Sequence, residues 1–287
     1  MRYAINVPNF GEYADPRTFV AIARDAETAG WDALFVWDHI LIDREWDVPI
    51  ADPWVLLAAA ATVTDRIRLG PMVTPLPRRR PWVVARQTVT LDRLSGGRLT
   101  MGVGLGAPPD AEFAAFGENP SPAIRAAQLD EALTVLAGLW SGEPFSFDGT
   151  HYCLEPMRFA PRPCQAPTIP VWVAGYWPHQ AAFRRAARWQ GVFPASRVTE
   201  ESGEPMPLDE LAAVLEVIRT ERGEAGMDGF DVMIAGGTPT DAGEALGIVE
   251  PYRKAGVTWW SEGLNGWRGS LPEMLERLRA GPPGKRG

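Results

Sequence analysis

Short apolar runs alternate along this chain with longer stretches in which apolar residues recur every three to four positions. The first pattern suits buried strands and the second amphipathic helices. Strand-length runs fall at 3–7, 33–37, 67–73, 99–103, 169–174, 191–193, 230–235 and 257–260. Helix-length stretches fall at 16–29, 53–63, 82–94, 125–140, 180–189, 208–225, 242–255 and 271–278. Asp15-Pro16 and Asp52-Pro53 each read as an N-cap followed by a first-turn proline, and Gly30 suits the end of the first helix. Pro71 lies inside the third run, where the missing N–H predicts a bulge or an edge.

Eight strands alternating with eight helices predict a parallel sheet of the α/β class. Closure into a (β/α)8 TIM barrel over residues 1–280 is the expected architecture, with a doubly wound open sheet as the alternative. The alternation breaks at 141–167, a turn- and proline-rich segment read as an insertion carrying a hairpin through PFSFDGTHYCLEP. The last residues, 281–287, are expected to be a flexible tail.

The chain has 287 residues, room for one barrel plus an insertion. Its net charge of −8 speaks against nucleic acid and anionic membranes as partners. No run approaches the roughly 18 apolar residues of a membrane span, and the N-terminus lacks signal-peptide features. Cys153 and Cys164 are the only cysteines, without a metal-binding or disulfide pattern. A cytoplasmic protein is expected. Twelve tryptophans are many, and those at strand ends suggest a lined pocket.

In a barrel, active sites gather at the C-terminal ends of the strands. That rule selects Asn9 and Phe10, then Trp37, Asp38 and His39, then Pro71 to Thr74. It also selects Gly104 to Gly106, Gly175 to Trp177, Gly236 to Thr238 and Glu262 to Trp267. The set is rich in glycine and aromatics and poor in titratable groups, which suits a planar ring held by backbone and apolar faces. His39 beside Asp38 is the leading catalytic candidate, for proton transfer or for a hydrogen bond to a ring carbonyl. The pair equally reads as an anchor for the following loop. His151 and His179 read as surface residues, and no histidine spacing supports a metal site.

The glycines at 102, 104 and 106 precede Pro108-Pro109 rather than a helix, so they are not a dinucleotide loop; they permit close approach of a ligand or of neighbouring backbone. Gly175-Tyr176 before a helix reads as a phosphate site or an ordinary turn. Arg78-Arg79-Arg80 reads as a solvated loop or, at the mouth of a barrel, as an attractor for an anionic tail or substrate.

Four stretches together carry a family resemblance: AETAGWDALFVWDH (26–39), ATVTDRIRLGPMVTPLPRRRPWVVARQTVTLDRLSGGRLTMGVGLG (61–106), IPVWVAG (169–175) and FRRAARWQGVFP (183–194). Through them the chain resembles the bacterial luciferase-like monooxygenases and their deazaflavin-dependent branch. The resemblance implies a flavin at the barrel mouth. It further implies a bulge after strand three, often with a non-proline cis peptide, at Gly70-Pro71-Met72-Val73-Thr74; Pro71 replaces the usual small residue. Gly104, Gly106, Gly175 and Tyr176 complete the expected cofactor set, with Asp38 and His39 as the catalytic pair. Some deazaflavin relatives carry a glutamate after strand four, where Leu105 stands here.

The expected activity is that of a monooxygenase using reduced FMN and oxygen on a small organic substrate, a flavin reductase supplying the reduced flavin. Hydride transfer with the deazaflavin coenzyme F420 is the alternative, and a flavin-binding protein without turnover is a second. Homodimers are common among such proteins.

Overall fold

A computed structural model describes residues 1–284, the side chains of 224 and 225 excepted. The strands are β1 (Arg2–Val7), β2 (Ala33–Val36), β3 (Arg68–Pro71), β4 (Thr74–Pro75), β5 (Met101–Gly104), β6 (Pro144–Asp148), β7 (Cys153–Arg158), β8 (Val171–Tyr176), β9 (Gly191–Ala195), β10 (Asp231–Gly236) and β11 (Trp259–Gly263). All except β6 and β7 form one parallel sheet in the order β3-β2-β1-β11-β10-β9-β8-β5-β4. The two ends of that order meet. Leu69 of β3 bridges Leu99, with Leu69 N–H donating to the Arg98 carbonyl (3.0 Å) and Thr100 N–H to the Leu69 carbonyl (2.9 Å). Because β3 and β4 are halves of one interrupted strand, the ring is the expected eight-stranded barrel, and the open-sheet alternative falls.

The interruption falls where Pro71 predicted it, between β3 and β4, and the Met72–Val73 peptide is cis. The predicted insertion contains the antiparallel β6–β7 hairpin. The glycines beside the interruption are filled by the chain itself: a Cβ on Gly70 would strike the Thr100 carbonyl, and one on Gly104 would lie 2.9 Å from the Val73 side chain.

The helices are α1 (Pro16–Thr28), α2 (Pro53–Ala61), α3 (Pro81–Leu94), α4 (Pro109–Glu112), α5 (Pro122–Trp140), α6 (Gln180–Ala186), α7 (Arg197–Ser202), α8 (Leu208–Arg222), α9 (Ala242–Lys254) and α10 (Leu271–Arg279). Their starts follow from local chemistry. Asp15 accepts from Thr18 N–H (2.8 Å), and Asp52 accepts from Trp54 and Val55 N–H (2.9 and 3.0 Å), each cap preceding a proline that has no N–H to lose. Gly30, at φ +87°, turns the chain out of α1. On α1, Phe19, Ile22, Ala23 and Ala26 form the buried stripe, a helical i, i+3, i+4, i+7 spacing. Trp31 behind it is fully buried and donates its indole N–H to the Leu278 carbonyl (2.9 Å), tying α10 to the first β/α unit.

Inside the barrel, Ala4, Ala33, Phe35, Met72, Trp172, Met233 and Trp259 form a plug separate from the outer core. Trp172 and Trp259 pack edge to face with centroids 5.3 Å apart. Most tryptophans therefore serve packing; Trp37 and Trp267 are the ones that stand together at the mouth.

The C-terminal expectation changes at its start. Gly281, Pro282 and Pro283 are buried, and Arg277 donates to the Gly281 carbonyl (2.7 Å); residues 285–287 lie outside the described ones. Among the described residues, no helix is long and apolar enough to cross a membrane.

Candidate active site

Side chains alternate along a strand, so the positions two beyond the plug form the floor of the mouth. From Ala4 the next inward residue is Asn6, and from Trp259 it is Ser261, on adjacent strands. Both are buried, and Asn6 Oδ1 and Ser261 Oγ have no hydrogen-bond partner among the described residues. Orphan polar atoms at a barrel mouth are costly to bury without a ligand to meet them.

Above the floor, the β1, β2 and β11 sector is aromatic. Trp37 and Trp267 stack with centroids 5.9 Å apart and planes at 19°, and Phe10 stands edge-on to both. His39 lies against this wall, its ring 5.9 Å from Phe10 and from Trp37.

The backbone of His39 is clamped by Asn9, which is fully buried. The Asn9 amide donates to the carbonyls of His39 (2.8 Å) and Ala51 (2.7 Å), and its oxygen accepts from His39 N–H (3.1 Å). One side chain thereby closes both ends of the loop that follows β2.

The ring of His39 is held by a group that follows β5, one strand round the barrel past the β3–β4 strand. Its Nδ1 lies 2.9 Å from Oε1 of Glu112, the last residue of α4. Glu112 is buried, accepts from Ile40 N–H (3.2 Å), and is ion-paired through Oε2 to Arg78. Burial pushes the His39 pKa down to about 4; the Arg78 guanidinium adds to the push and Asp38 opposes it. The imidazole is thus neutral at physiological pH.

Asp38 turns away from its neighbour. Its carboxylate accepts from Arg78 (2.7 Å), from Arg79 (2.7 Å) and from the Thr74 hydroxyl, in a cluster where both arginines are largely buried. The structure therefore brings Asp38 and Thr74 together as an anchor and pairs His39 with Glu112 instead. The expectation of a solvated arginine loop is corrected for Arg78 and Arg79: two guanidinium groups forty residues from Asp38 are folded in to neutralise it.

Among the expected cofactor positions, Met72 belongs to the plug and Val73 packs on it. Gly106, at φ +86°, passes against Phe113 and Pro75. At Gly175 the space for a Cβ is taken by Phe183 of α6, so this glycine serves helix packing. The Tyr176 hydroxyl donates to Glu200 (2.8 Å). Beside it, Ser196 and Thr199 carry buried hydroxyls that have no partner among the described residues; Ser196 follows Ala195, the strand partner of Tyr176. These two are polar positions that local pattern did not single out. Among the described residues, no group of histidines, cysteines or carboxylates is arranged to hold a metal.

A flavin presents N–H and carbonyl groups along its pyrimidine edge and a phosphate at its tail. An orphan amide oxygen with an orphan hydroxyl on the floor, and two orphan hydroxyls at the β8–β9 end, fit such a group.

Comparison with known proteins agrees with this architecture. The family model described as luciferase-like monooxygenase matches residues 1–245. An uncharacterized protein of Mycobacterium tuberculosis is 31% identical over 248 residues, covering 77% of this chain and 82% of that protein. The F420-dependent glucose-6-phosphate dehydrogenase of Beutenbergia cavernae is 39% identical over 177 residues, which are 60% of this chain but only 50% of that enzyme. The crystal structure of monooxygenase RslO1 from Streptomyces bottropensis superposes with a TM-score of 0.76 at 21% identity, covering 98% of this chain and 97% of that one. Sequence, barrel and mouth converge on one assignment: the chain belongs to the luciferase-like monooxygenase family of oxidoreductases.

Proposed function

We propose that the protein is a deazaflavin-dependent oxidoreductase acting on a small hydroxyl or carbonyl compound, with His39 as the group that takes or returns the substrate proton. The observation that carries this reading is the state of His39: neutral, braced by a carboxylate on Nδ1, and with no protein partner on Nε2 among the described residues. A neutral imidazole at a barrel mouth is the base that oxidation of a hydroxyl needs. When bound, a deazaflavin supplies hydride exchange, the hard part of the chemistry.

The residues of this chain do the rest. Asn6 and Ser261 would hold the pyrimidine edge, and Ser196 with Thr199 the phosphate, beside Gly175 and Tyr176. Gly70 to Val73 and Gly104 shape the floor next to the plug. Phe10, Trp37 and Trp267 form an apolar aromatic face on which the substrate would lie while its oxygen meets His39 Nε2. The glutamate expected after strand four is absent at Leu105, yet a carboxylate does reach His39, from Glu112. The similarity to the F420-dependent enzyme of Beutenbergia cavernae supports the same cofactor class.

The second reading is oxygenation with reduced FMN, which the aromatic wall also suits. The deciding experiment titrates the apoprotein with FMN, reduced FMN and coenzyme F420, followed by tryptophan quenching and oxygen uptake. Tight F420 binding with no oxygen consumption is expected. Tight FMN binding with oxygen uptake would replace this reading with the second, and binding of neither would remove the flavin altogether.

A further inference from the structure

We infer that Glu112 is a positioning residue that sets the tautomer of His39, holding the proton on Nδ1 so that Nε2 faces the reacting atoms as an acceptor. The inference rests on His39 being the proton-handling group of the site proposed above. The geometry carries it. A carboxylate can only accept from a neutral imidazole, so the 2.9 Å contact between Glu112 Oε1 and His39 Nδ1 requires Nδ1–H. The same oxygen accepts from Ile40 N–H, which fixes it against the backbone that carries the ring.

The other oxygen cannot swing away, because Arg78 holds it. Arg78 is in turn held by Asp38, and Asp38 by Arg79 and Thr74. Rotation of Glu112 would break a chain of buried contacts running from α4 to the segment after β3. The groups around the imidazole come from several elements: Phe10 from the segment after β1, Trp37 and Asp38 from the segment after β2, Arg78 from the turn before α3, and Glu112 from α4. Asp38 and Glu112 balance Arg78 and Arg79, and Glu118, which also faces Arg78, is balanced by Arg80, so the cluster is neutral with the imidazole uncharged. A cation on His39 would leave a net charge in a largely buried site, which is what the arrangement avoids.

The role differs from that of a mere loop anchor. An anchor would stabilise residues 39–41 without regard to which ring nitrogen bears the proton. A positioning residue commits Nε2 to accepting, and oxidation of a hydroxyl then starts without a tautomer change.

The test is nitrogen-15 NMR of the histidine side chains in the cofactor-free protein, so that its outcome is independent of which flavin binds. Only three histidines occur, and His39→Gln assigns the relevant pair of signals. At neutral pH, His39 is expected to show a protonated Nδ1 and an unprotonated Nε2. Glu112→Ala should mix the tautomers and lower kcat at least ~10-fold with KM changed by less than ~3-fold. The double variant Glu112→Gln with Arg78→Leu restores the tautomer, because the amide oxygen still accepts and no guanidinium faces its NH2. A wild-type spectrum with the proton on Nε2 overturns the inference without any variant having to fold. So does a folded Glu112→Ala protein whose His39 signals and kcat are unchanged.

Discussion

Acid should weaken this fold through one imidazole more than through any other neutral base. In the unfolded chain His39 titrates near its ordinary value of 6.5, whereas in the fold burial holds it at about 4. Between those values the unfolded state takes up a proton that the native state refuses, so stability is fully present above pH 6.5 and falls as pH drops. At about 1.4 kcal/mol per pH unit the full loss is about 3 kcal/mol, and it reaches about 2 kcal/mol by pH 5. Side-chain carboxylates titrate over part of the same range, so the comparison must be differential. Urea unfolding of wild type and His39→Gln from pH 7 to pH 4.5 isolates the contribution, since glutamine can donate to Glu112 without titrating. The two stabilities should converge toward the variant's as pH falls, by the amount above. Parallel loss in both proteins would refute the reasoning and mean that the buried imidazole accepts a proton readily, as a partner of Glu112.

Three further outcomes follow from the site. His39→Ala should leave cofactor affinity nearly unchanged and lower Tm by only a few degrees, through the lost Glu112 contact, while lowering kcat by ~10²- to 10⁴-fold, checked by calorimetry, cofactor titration and steady-state turnover. Asp38→Ala should act on stability: it strands Arg79 and leaves Arg78 with Glu112 alone, a cost of about 3–5 kcal/mol and a fall in Tm on the order of 10 °C by calorimetry. Glucose 6-phosphate should be a poor substrate beside neutral aromatic or aliphatic alcohols of similar size in a turnover panel. Near the aromatic wall, Arg78, Arg79 and Arg268 are already ion-paired to Asp38, Glu112 and Glu262.

The barrel was legible because its signals are local. Alternation, caps at Asp15 and Asp52, and the helix-ending Gly30 each act within a few residues, and the bulge announced itself through Pro71. The site was legible only in part, because its partners are brought together by closure. His39 stood out by its place after β2, but its carboxylate arrives from 73 residues further on, through an irregular segment after Pro108-Pro109. One signal was available: Glu112 sits between Ala111 and Phe113, which are buried, and a lone acid in such a run asks for a buried partner. Adjacency misled at Asp38, since consecutive residues at a strand end point in opposite directions. It misled again at Arg78 and Arg79, where a dense local charge carries no information about an aspartate forty positions away. At Gly104 the sequence left open a ligand or neighbouring chain, and at Gly175 a phosphate site or an ordinary turn; the space a Cβ would need is filled by Val73 at the first and by Phe183 at the second.

The clamp made by Asn9 has an evolutionary corollary. Because one amide grips the carbonyls of both His39 and Ala51, the residues between them hang from a closed neck, and Ile40 and Trp46 on that stretch are exposed. Changes of length or composition within the stretch would leave the neck, and therefore the imidazole, where they are. Selection can then try new substrates at the rim without repeatedly rebuilding the reactive centre, and a library randomised across 41–49 should yield altered preferences among variants that still turn over.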